Sequence, residues 1–464
     1  MGWPNMELSQ LIYLLPPLLA ILLVIITRRP ILSLVVSIAS GLIILYGFGY
    51  GLLENTYRIL WDVVTDPWNI KLVLALLILG GFIGVVEMVL QNKDIKLTKF
   101  FHSKRKVLFV GWLSGLFLFI DDYFNILLNG VFLNSITKKH RISKAKIAFI
   151  IHSLGISACV LIPFSTWTVY IVSIIKNLNL DNGYSIFVNS IPYNFYAISL
   201  VFITLAVILY EINLLGMKRE EQIQKIIKVE KSRAKKNEIT LKEVLFPAFL
   251  LVLVSLVLIV VNIILISDSY SSMYELVANL NFIDVLLYSG IISTLALCIY
   301  YYRKNIKIRS LSSSFSFGTK QMFSAIGILI LAWILGSITI KLNTANIIID
   351  LSKGILLSSV LVFGTFIITS VLAFMTSSWA TFAIVIPILL PLGIAHGINP
   401  SLIIAAIVSG GIFGDHNSPV SSTTILTKAA SKIEITKHFH TQLPYSLIAF
   451  AISGYLFLLI GGIT

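Results

Sequence analysis

The chain of 464 residues is 57% hydrophobic and only 12% charged, with a mean hydropathy of +0.93. Apolar runs of about 20 residues, each long enough to cross a bilayer, recur from one end to the other. These properties exclude a sizeable soluble domain and indicate a polytopic integral membrane protein. The first apolar run lacks a basic n-region and a small-residue cleavage site, so we interpret it as a retained helix.

The net charge of +14 comes from basic residues in short loops between the apolar runs. This is the positive-inside pattern, which sets orientation in a membrane, and it argues against a nucleic-acid partner. The two cysteines, Cys159 and Cys298, lie in apolar runs and predict neither a disulfide framework nor a redox motif. The segments assigned to the cytoplasm are Arg28-Arg29, 93–106, 138–146, 218–236 and 303–309.

The crossings follow from this orientation. Residues 8–26 cross once, which places the N-terminus outside, and the next helices are predicted near 31–50 and 71–90. Residues 107–136 begin and end inside, but they are too few for two spans of about 20 residues each. We predict a re-entrant hairpin there, with FIDDYFN at 119–125 in its middle.

A polar stretch at 217–240 separates two halves, and we interpret it as a solvated cytoplasmic linker. Residues 355–395 form a second predicted hairpin, entered from outside, with TSSWATF at 376–382 near its tip. The remaining predicted crossings are 147–175, 193–215, 243–266, 283–300, 318–338, 400–427 and 443–463.

The two halves align without a gap at an offset of 256 residues, which places Asp121 on Ser377 and Pro163 on Pro419. Hydrophobicity alone does not explain matches of Ser, Gly and Pro, and the paired segments run in opposite directions. Inverted repeats with broken helices that meet near the midplane are typical of secondary transporters.

We therefore predict an all-α polytopic membrane protein, an inverted-repeat transporter with two re-entrant hairpins and broken transmembrane helices. The predicted units are N-terminal transmembrane helices (1–70), a first repeat (71–216), the linker (217–240), connecting helices (241–310) and a second repeat (311–464).

Polar sequence interrupts the second half between Asp415 and Thr424, and such sequence is tolerated at membrane depth where it lines a cavity. We predict a helix break formed by Gly410-Gly411, Gly414 and Pro419, with Ser418 as the N-cap of a new half-helix. Hard cations prefer oxygen ligands, so the predicted Na⁺ ligands are Asp415, Ser421 and Thr423. The other candidate ion- or substrate-binding residues are Asn125, Ser153, Ser157, Ser165, Thr166, Ser377, Ser378, Asn417, Ser418 and Ser422.

Asp121, Asp122 and Asp415, together with His416, are the candidate proton- or cation-coupling residues. An acid near the bilayer centre costs about 2.5–3.5 kcal/mol, which makes it a functional candidate by default. Two adjacent carboxylates repel, which favours a protonated form of one of them and suits a proton carrier. Two alternatives stay open at this point: Asp415 could only cap the following half-helix, and Asp121-Asp122 could lie at an exposed tip.

Histidines are less informative. His152 lies on an otherwise apolar segment, where a structural role and a role in pH or substrate tuning are both compatible with the sequence. His438 and His440 fall in a predicted loop and are expected to be solvated or interfacial.

Four stretches resemble the NhaC family of Na⁺/H⁺ antiporters, within the ion-transporter superfamily. They are FIDDYFNILLNG with the following RISKAKIAFIIHS, SSWATFAIVIPILLPLG, IFGDHNSPVSSTTIL and TQLPYSL, and they span about 330 residues. The resemblance implies a multi-pass protein of the bacterial cytoplasmic membrane that exchanges Na⁺ for H⁺, with relatives that move malate, lactate or amino acids. It implies no cofactor, and a homodimer stays an open alternative.

The sequence departs from that family at three positions. His152 stands where many members have Asp, Ser422 also replaces an Asp, and Asn417 replaces a common Cys. Fewer fixed negative charges suit Na⁺ less well, so two hypotheses are kept. The leading one is Na⁺/H⁺ antiport by alternating access, and the alternative is an H⁺- or Na⁺-coupled transporter of an amino acid or small carboxylate. An intramembrane hydrolase is disfavoured because the GxSxG and HExxH motifs do not occur in the sequence.

Overall fold

In a computed structural model, the described residues are 8–90, 94–96, 103–180, 182–226, 238–266, 281–344, 347, 357–419 and 421–463. Nearly all of them are helical, including short 3₁₀ segments at Leu8–Leu14 and Ile191–Tyr193. The described α-helices are α1 (Leu15–Thr27), α2 (Pro30–Tyr46), α3 (Tyr50–Thr65), α4 (Pro67–Leu90), α5 (Lys104–Phe117), α6 (Asp122–His140), α7 (Lys144–Leu161), α8 (Thr166–Lys176), α9 (Gly183–Ser190), α10 (Phe195–Leu209), α11 (Leu215–Ile226), α12 (Leu241–Ile266), α13 (Phe282–Arg303), α14 (Ile308–Gln321), α15 (Phe323–Lys341), α16 (Ser358–Met375), α17 (Ser378–Ala395), α18 (Pro400–Asn417), α19 (Ser422–Ser431) and α20 (Ile435–Gly461).

Within the part of the chain that the structure describes, eight helical segments are long and apolar enough to cross a membrane, and a bent pair formed by α9 and α10 adds a ninth candidate. The predicted polytopic helical fold is therefore confirmed. Two features depart from the prediction. Helix α3 occupies a stretch for which no helix was predicted. Two short strands, β1 (Asp94–Lys96) and β2 (Glu238–Thr240), pair in parallel and were not predicted, but they leave the fold in the all-α class.

The 256-residue offset reappears in the helix boundaries. Shifting α7 by 256 residues gives 400–417, which are the bounds of α18. Helices α6 and α8 begin at Asp122 and Thr166, and α17 and α19 begin 256 residues later, at Ser378 and Ser422. Both halves thus contain the same series of hairpin, long helix, break and half-helix.

The two series run in opposite directions. Helix α7 begins beside α11, where the Ser143 N–H donates to Glu221 at 3.0 Å, and runs away from α11 to its break. Helix α19 packs along α6, and a Cβ added to Gly130 of α6 would lie 2.6 Å from Ala430. Helix α19 therefore leads from the second break towards the end at which α6 finishes and α7 begins. The predicted inverted repeat is present.

A serine caps the helix after three of the interruptions. Ser165, Ser377 and Ser421 have extended backbones, and each side chain accepts the N–H of the third residue after it, at 3.1–3.3 Å. These bonds satisfy donors that the start of a helix would leave unpaired. The predicted cap at Ser418 was wrong by three residues, because α19 begins at Ser422.

The glycines before the second break have another role than predicted. Gly410, Gly411 and Gly414 lie inside the continuous helix α18, so they do not break it. They allow close packing instead, since a Cβ at Gly410 would lie 2.5 Å from the Phe366 carbonyl oxygen of α16. The interruption is confined to residues 418–421, between α18 and α19.

The first part of the predicted solvated linker is a packed helix. Helix α11 contacts α7 and α20, and its residues Met217 and Glu221 are buried. Glu221 forms ion pairs with Lys104 and with the buried Lys146, the latter at 3.5 Å. This correction has an electrostatic cause, because burying Lys146 without an anion would be costly. Residues 227–237 of the linker lie outside the described residues.

Candidate functional site

The hairpin tips and helix breaks of both repeats meet between the repeats. The hydroxyls of Tyr123, after the first hairpin tip, and Ser422, after the second break, are 2.5 Å apart. The Tyr170 hydroxyl of α8 donates to the Trp379 carbonyl of α17 at 2.8 Å. Each hairpin is thus hydrogen-bonded to the broken helix of the other repeat.

Of the carboxylates in this region, Asp415 accepts the most hydrogen bonds from the described residues. Its Oδ1 accepts the backbone N–H and the hydroxyl of Ser378, at 3.2 and 3.3 Å. Its Oδ2 accepts hydroxyls from Ser421 at 3.1 Å and Thr423 at 2.5 Å. The side chain is buried and joins the second hairpin to the second break. Helix α19 is capped by Ser421, so these contacts do not support a mere capping role for Asp415.

Asp121 and Asp122 lie at the first hairpin tip and are both buried, so the exposed-tip alternative is not supported. Asp121 accepts the Phe124 N–H at 3.0 Å and the Thr166 hydroxyl of the first break at 3.1 Å. Among the described side chains, Asp122 Oδ2 has no hydrogen-bond partner. The Trp167 indole N–H also lacks one among the described atoms, and it lies near Asp122.

The three carboxylates form an acidic centre, and the described residues provide no basic counter-ion for it. No ion pair between described residues includes Asp121, Asp122 or Asp415. Asp122 is close enough to both other carboxylates for their charges to act on it. This arrangement favours any species that brings positive charge into the site.

A hydrogen-bonded histidine pair lies beside Asp415. His152 of α7 has Nε2 at 3.1 Å from the Thr423 hydroxyl and Nδ1 at 2.9 Å from Nε2 of His438. All of these groups are buried. His438 is the fourth residue of α20, so its predicted placement in a solvated loop was wrong. By contrast, His440 is exposed, as expected.

His416 belongs to a separate branch of the network. Its Nδ1 is 2.9 Å from the Tyr196 hydroxyl, and its Nε2 is 3.2 Å from the Ser153 hydroxyl. Its backbone carbonyl accepts the Gln442 side-chain amide. Both ring nitrogens are therefore occupied by partners from the first repeat.

Several candidate residues form their hydrogen bonds with groups other than the Asp415 carboxylate. The Ser165 hydroxyl donates to the Cys159 carbonyl at 2.5 Å, and Ser377 serves as a cap. The Asn417 side-chain amide donates to the Phe413 carbonyl, and its oxygen accepts the Ser446 hydroxyl. Three further candidate residues are buried, namely Ser418, Asn125 and Ser157. The Asn125 side-chain amide donates to the Gly115 carbonyl, and the Ser157 hydroxyl has no partner among the described atoms.

Four contributors were missed by the sequence analysis. Tyr123, Tyr196 and Gln442 were not among the candidate residues, although Tyr123 lies in the motif FIDDYFN and Gln442 in TQLPYSL. His438 was missed because its helix begins earlier than the predicted crossing at 443. A repeat of polar residues on one face of α20, including Thr441, Gln442 and Ser446, was the available signal.

A profile described as the Na⁺/H⁺ antiporter family matches residues 158–462. The chain belongs to this family. The match covers the first break, both helices of the second hairpin, and Asp415 with the three residues whose groups bond its carboxylate, whereas Asp121, Asp122 and His152 precede it. It makes the protein a multi-pass secondary transporter.

Three individual relatives are similar to this chain, and two of them are described as antiporters. A Haemophilus influenzae protein described as uncharacterized is 27% identical over 93% of this chain and 87% of its own length. A malate-2H⁺/Na⁺-lactate antiporter of Bacillus subtilis is 31% identical, over 30% of this chain and 28% of its own length. The Na⁺/H⁺ antiporter NhaC of Alkalihalophilus pseudofirmus is 29% identical, over 31% of this chain and 30% of its own length.

Two solved transporters share the fold. The Alcanivorax borkumensis YdaH transporter superposes with a TM-score of 0.63 over 98% of both chains, at 12% identity. The Neisseria gonorrhoeae efflux pump MtrF gives a TM-score of 0.52, at 15% identity, over 98% of this chain and 97% of its own. At these identities the likeness concerns the fold alone.

Proposed function

We propose that this family member exchanges Na⁺ for H⁺ across the bacterial cytoplasmic membrane, with Asp415, Ser421 and Thr423 as ligands of the transported Na⁺. The observation that supports this most directly is the buried acidic centre. Asp121, Asp122 and Asp415 lie between the repeats without a basic partner among the described residues.

A buried carboxylate without a counter-ion must be neutralised. An ionised side chain at the bilayer centre costs about 2.5–3.5 kcal/mol on insertion scales. A bound proton removes this cost, and so does a bound cation. Because both neutralise the same charge, they compete for the site, and competition of this kind couples the exit of one to the entry of the other.

The donors around Asp415 fit this competition. The Ser421 and Thr423 hydroxyls donate to Oδ2 in the structure. A hydroxyl rotates freely and also carries two acceptor lone pairs. When Na⁺ binds, these hydroxyls can turn their oxygens towards it, and together with Asp415 Oδ2 they supply three hard ligands.

The contacts between repeats support alternating access. The bonds from Tyr123 to Ser422 and from Tyr170 to Trp379 join the hairpin of one repeat to the broken helix of the other. Rocking of one repeat against the other would break one of these contacts and expose the site to one side.

A second candidate function is coupled transport of a small carboxylate. Two observations favour it: the buried imidazoles of His152 and His416, which could pair with an anion, and the similarity to the malate-2H⁺/Na⁺-lactate antiporter.

The deciding experiment is Na⁺-induced collapse of a preformed pH gradient in inside-out vesicles. Asp415→Asn should abolish the response, because the amide carries no charge for Na⁺ or H⁺ to neutralise. Asp62→Asn is the matched control, since Asp62 is exposed on α3. No Na⁺ response in well-inserted wild type would refute Na⁺/H⁺ exchange, and a malate- or lactate-induced response would then support the second candidate.

A further inference from the structure

A line of hydrogen bonds leaves Asp415 and ends near the basic side of the protein. It runs from Asp415 Oδ2 to the Thr423 hydroxyl (2.5 Å), to His152 Nε2 (3.1 Å), and from His152 Nδ1 to His438 Nε2 (2.9 Å). The last atom in the line, His438 Nδ1, is buried and has no partner among the described atoms. Thr423, His152 and His438 come from three different helices, so only the tertiary fold creates this line.

The line spans the depth between the site and the end of the bundle that carries α11. His152 is the ninth residue of α7 and His438 the fourth of α20. At 1.5 Å per residue they lie about 12 and 4.5 Å from the starts of their helices. Both helices start beside α11, since Glu221 bonds Ser143 and the His440 carbonyl lies 3.1 Å from a Cβ placed on Gly216. The positive-inside pattern assigns this end to the cytoplasm.

We propose, on the basis of the proposed function, that Thr423, His152 and His438 relay the coupling proton between the cytoplasmic end of α20 and Asp415. Imidazole can accept a proton on one nitrogen while it releases one from the other, which suits each histidine to this task. His152 and His438 are not ligands of the proposed Na⁺ site. The ligand set of that site therefore does not predict the relay.

The proton balance can be written for the arrangement in which Thr423 donates to ionised Asp415. A proton arrives at His438 Nδ1, and the Nε2 proton of His438 passes to His152 Nδ1. The Nε2 proton of His152 passes to the Thr423 oxygen, and the Thr423 hydroxyl proton passes to Asp415 Oδ2. One proton enters, one carboxylic acid forms, and both imidazoles stay neutral with exchanged tautomers. The reverse series returns the proton to the cytoplasm.

Among the described residues, the groups next to this line do not offer a competing route. His416 presents its ring edge to His152, with centroids 4.7 Å apart, but its two nitrogens are bonded to Tyr196 and Ser153. Gln442 bonds the His416 carbonyl and cannot relay a proton, because an amide does not titrate. The unpartnered nitrogen of the cluster is His438 Nδ1.

The test compares two kinds of flux in proteoliposomes. Na⁺-driven proton movement needs the relay, whereas exchange of ²²Na⁺ for Na⁺ needs only the ion site. His438→Gln should slow the first by at least about tenfold, in line with the loss of a positioned proton-transfer group, and leave the second unchanged. His440→Gln, two residues along the same helix but exposed, should alter neither.

Chemical rescue separates a relay from a structural role. His438→Gly should regain proton movement when imidazole is added on the cytoplasmic side, without a change in Na⁺/Na⁺ exchange. Equal loss of both fluxes in His438→Gln with no rescue, or an unchanged rate of proton movement, would overturn the relay. If wild type carries no Na⁺, the proposed function fails instead. The variant is then compared with wild type in malate-driven proton movement, where an equal rate would overturn the relay.

Discussion

Replacement of Thr423 by valine tests the ion site with a nearly isosteric change. The variant loses the hydroxyl that donates to Asp415 Oδ2 at 2.5 Å and keeps the volume of the side chain. A hydrogen bond to a charged group contributes about 1.5–3 kcal/mol, and the same oxygen is a proposed Na⁺ ligand. Since each 1.4 kcal/mol is a factor of ten, the half-maximal Na⁺ concentration should rise between about tenfold and a hundredfold.

The assay is collapse of a pH gradient in inside-out vesicles over a range of Na⁺ concentrations. Thr423→Val also interrupts the proposed relay, so its maximal rate should fall as well, and the half-maximal concentration is the quantity that reports on the site. Thr423→Ser keeps the hydroxyl and should stay near the wild-type affinity. Thr427→Val is the matched control, because the Thr427 hydroxyl is buried on the same helix without a partner among described atoms. A half-maximal concentration in Thr423→Val within about twofold of wild type would show that this hydroxyl does not ligate Na⁺.

Three further outcomes are expected. Asp122→Asn should abolish coupled transport while membrane insertion stays normal, as judged by the amount of folded protein in the membrane; wild-type turnover would remove this carboxylate from the mechanism. Ser422→Asp adds a negative charge beside Tyr123 at the site and should lower the half-maximal Na⁺ concentration, whereas an unchanged value would place Ser422 outside the ion path. Glu221→Gln should lower the free energy of unfolding of the purified protein at pH 7 by about 3 kcal/mol, because it leaves the buried Lys146 without its anion. Burial raises the pKa of Glu221, but the charge of Lys146 and the bonds from neighbouring donors more than offset this and hold the pKa below its usual value. A lowered folded pKa contributes stability that is present above the unfolded pKa and is lost as pH falls through the folded one. The difference in the free energy of unfolding between wild type and Glu221→Gln should therefore be largest at neutral pH and decrease below about pH 4. A difference that does not depend on pH would contradict the ion-pair explanation.

Much of the architecture was predictable because its signals are local. Proline and serine at 163 and 165, and again at 419 and 421, mark the two breaks, since proline cannot continue a helix and serine caps the next one. The same residues fixed the 256-residue offset, which the helix boundaries reproduce. Hydropathy and the positions of basic residues were enough to predict the re-entrant hairpins and the inversion.

The site was only partly predictable. Asp415, Ser421 and Thr423 lie within nine residues of one another, so their association depends on one helix break and its cap. The choice of Ser378 as the partner of Asp415 Oδ1 depends on how the second hairpin packs on α18. The role of the α18 glycines was misassigned for the same reason, because a close helix crossing and a helix break both favour glycine.

The sequence by itself determined that this protein is a membrane transporter with an inverted repeat, and it located the polar interruptions, since these properties follow from hydropathy and local backbone preference. The tertiary structure alone decided which side chains meet there. His438 is 286 residues from His152 in sequence yet forms a 2.9 Å hydrogen bond with it. Glu221 is buried against Lys146 although its segment is among the most polar in the chain. Such contacts depend on the rotation and crossing of helices from distant parts of the sequence, and a local pattern carries no information about either.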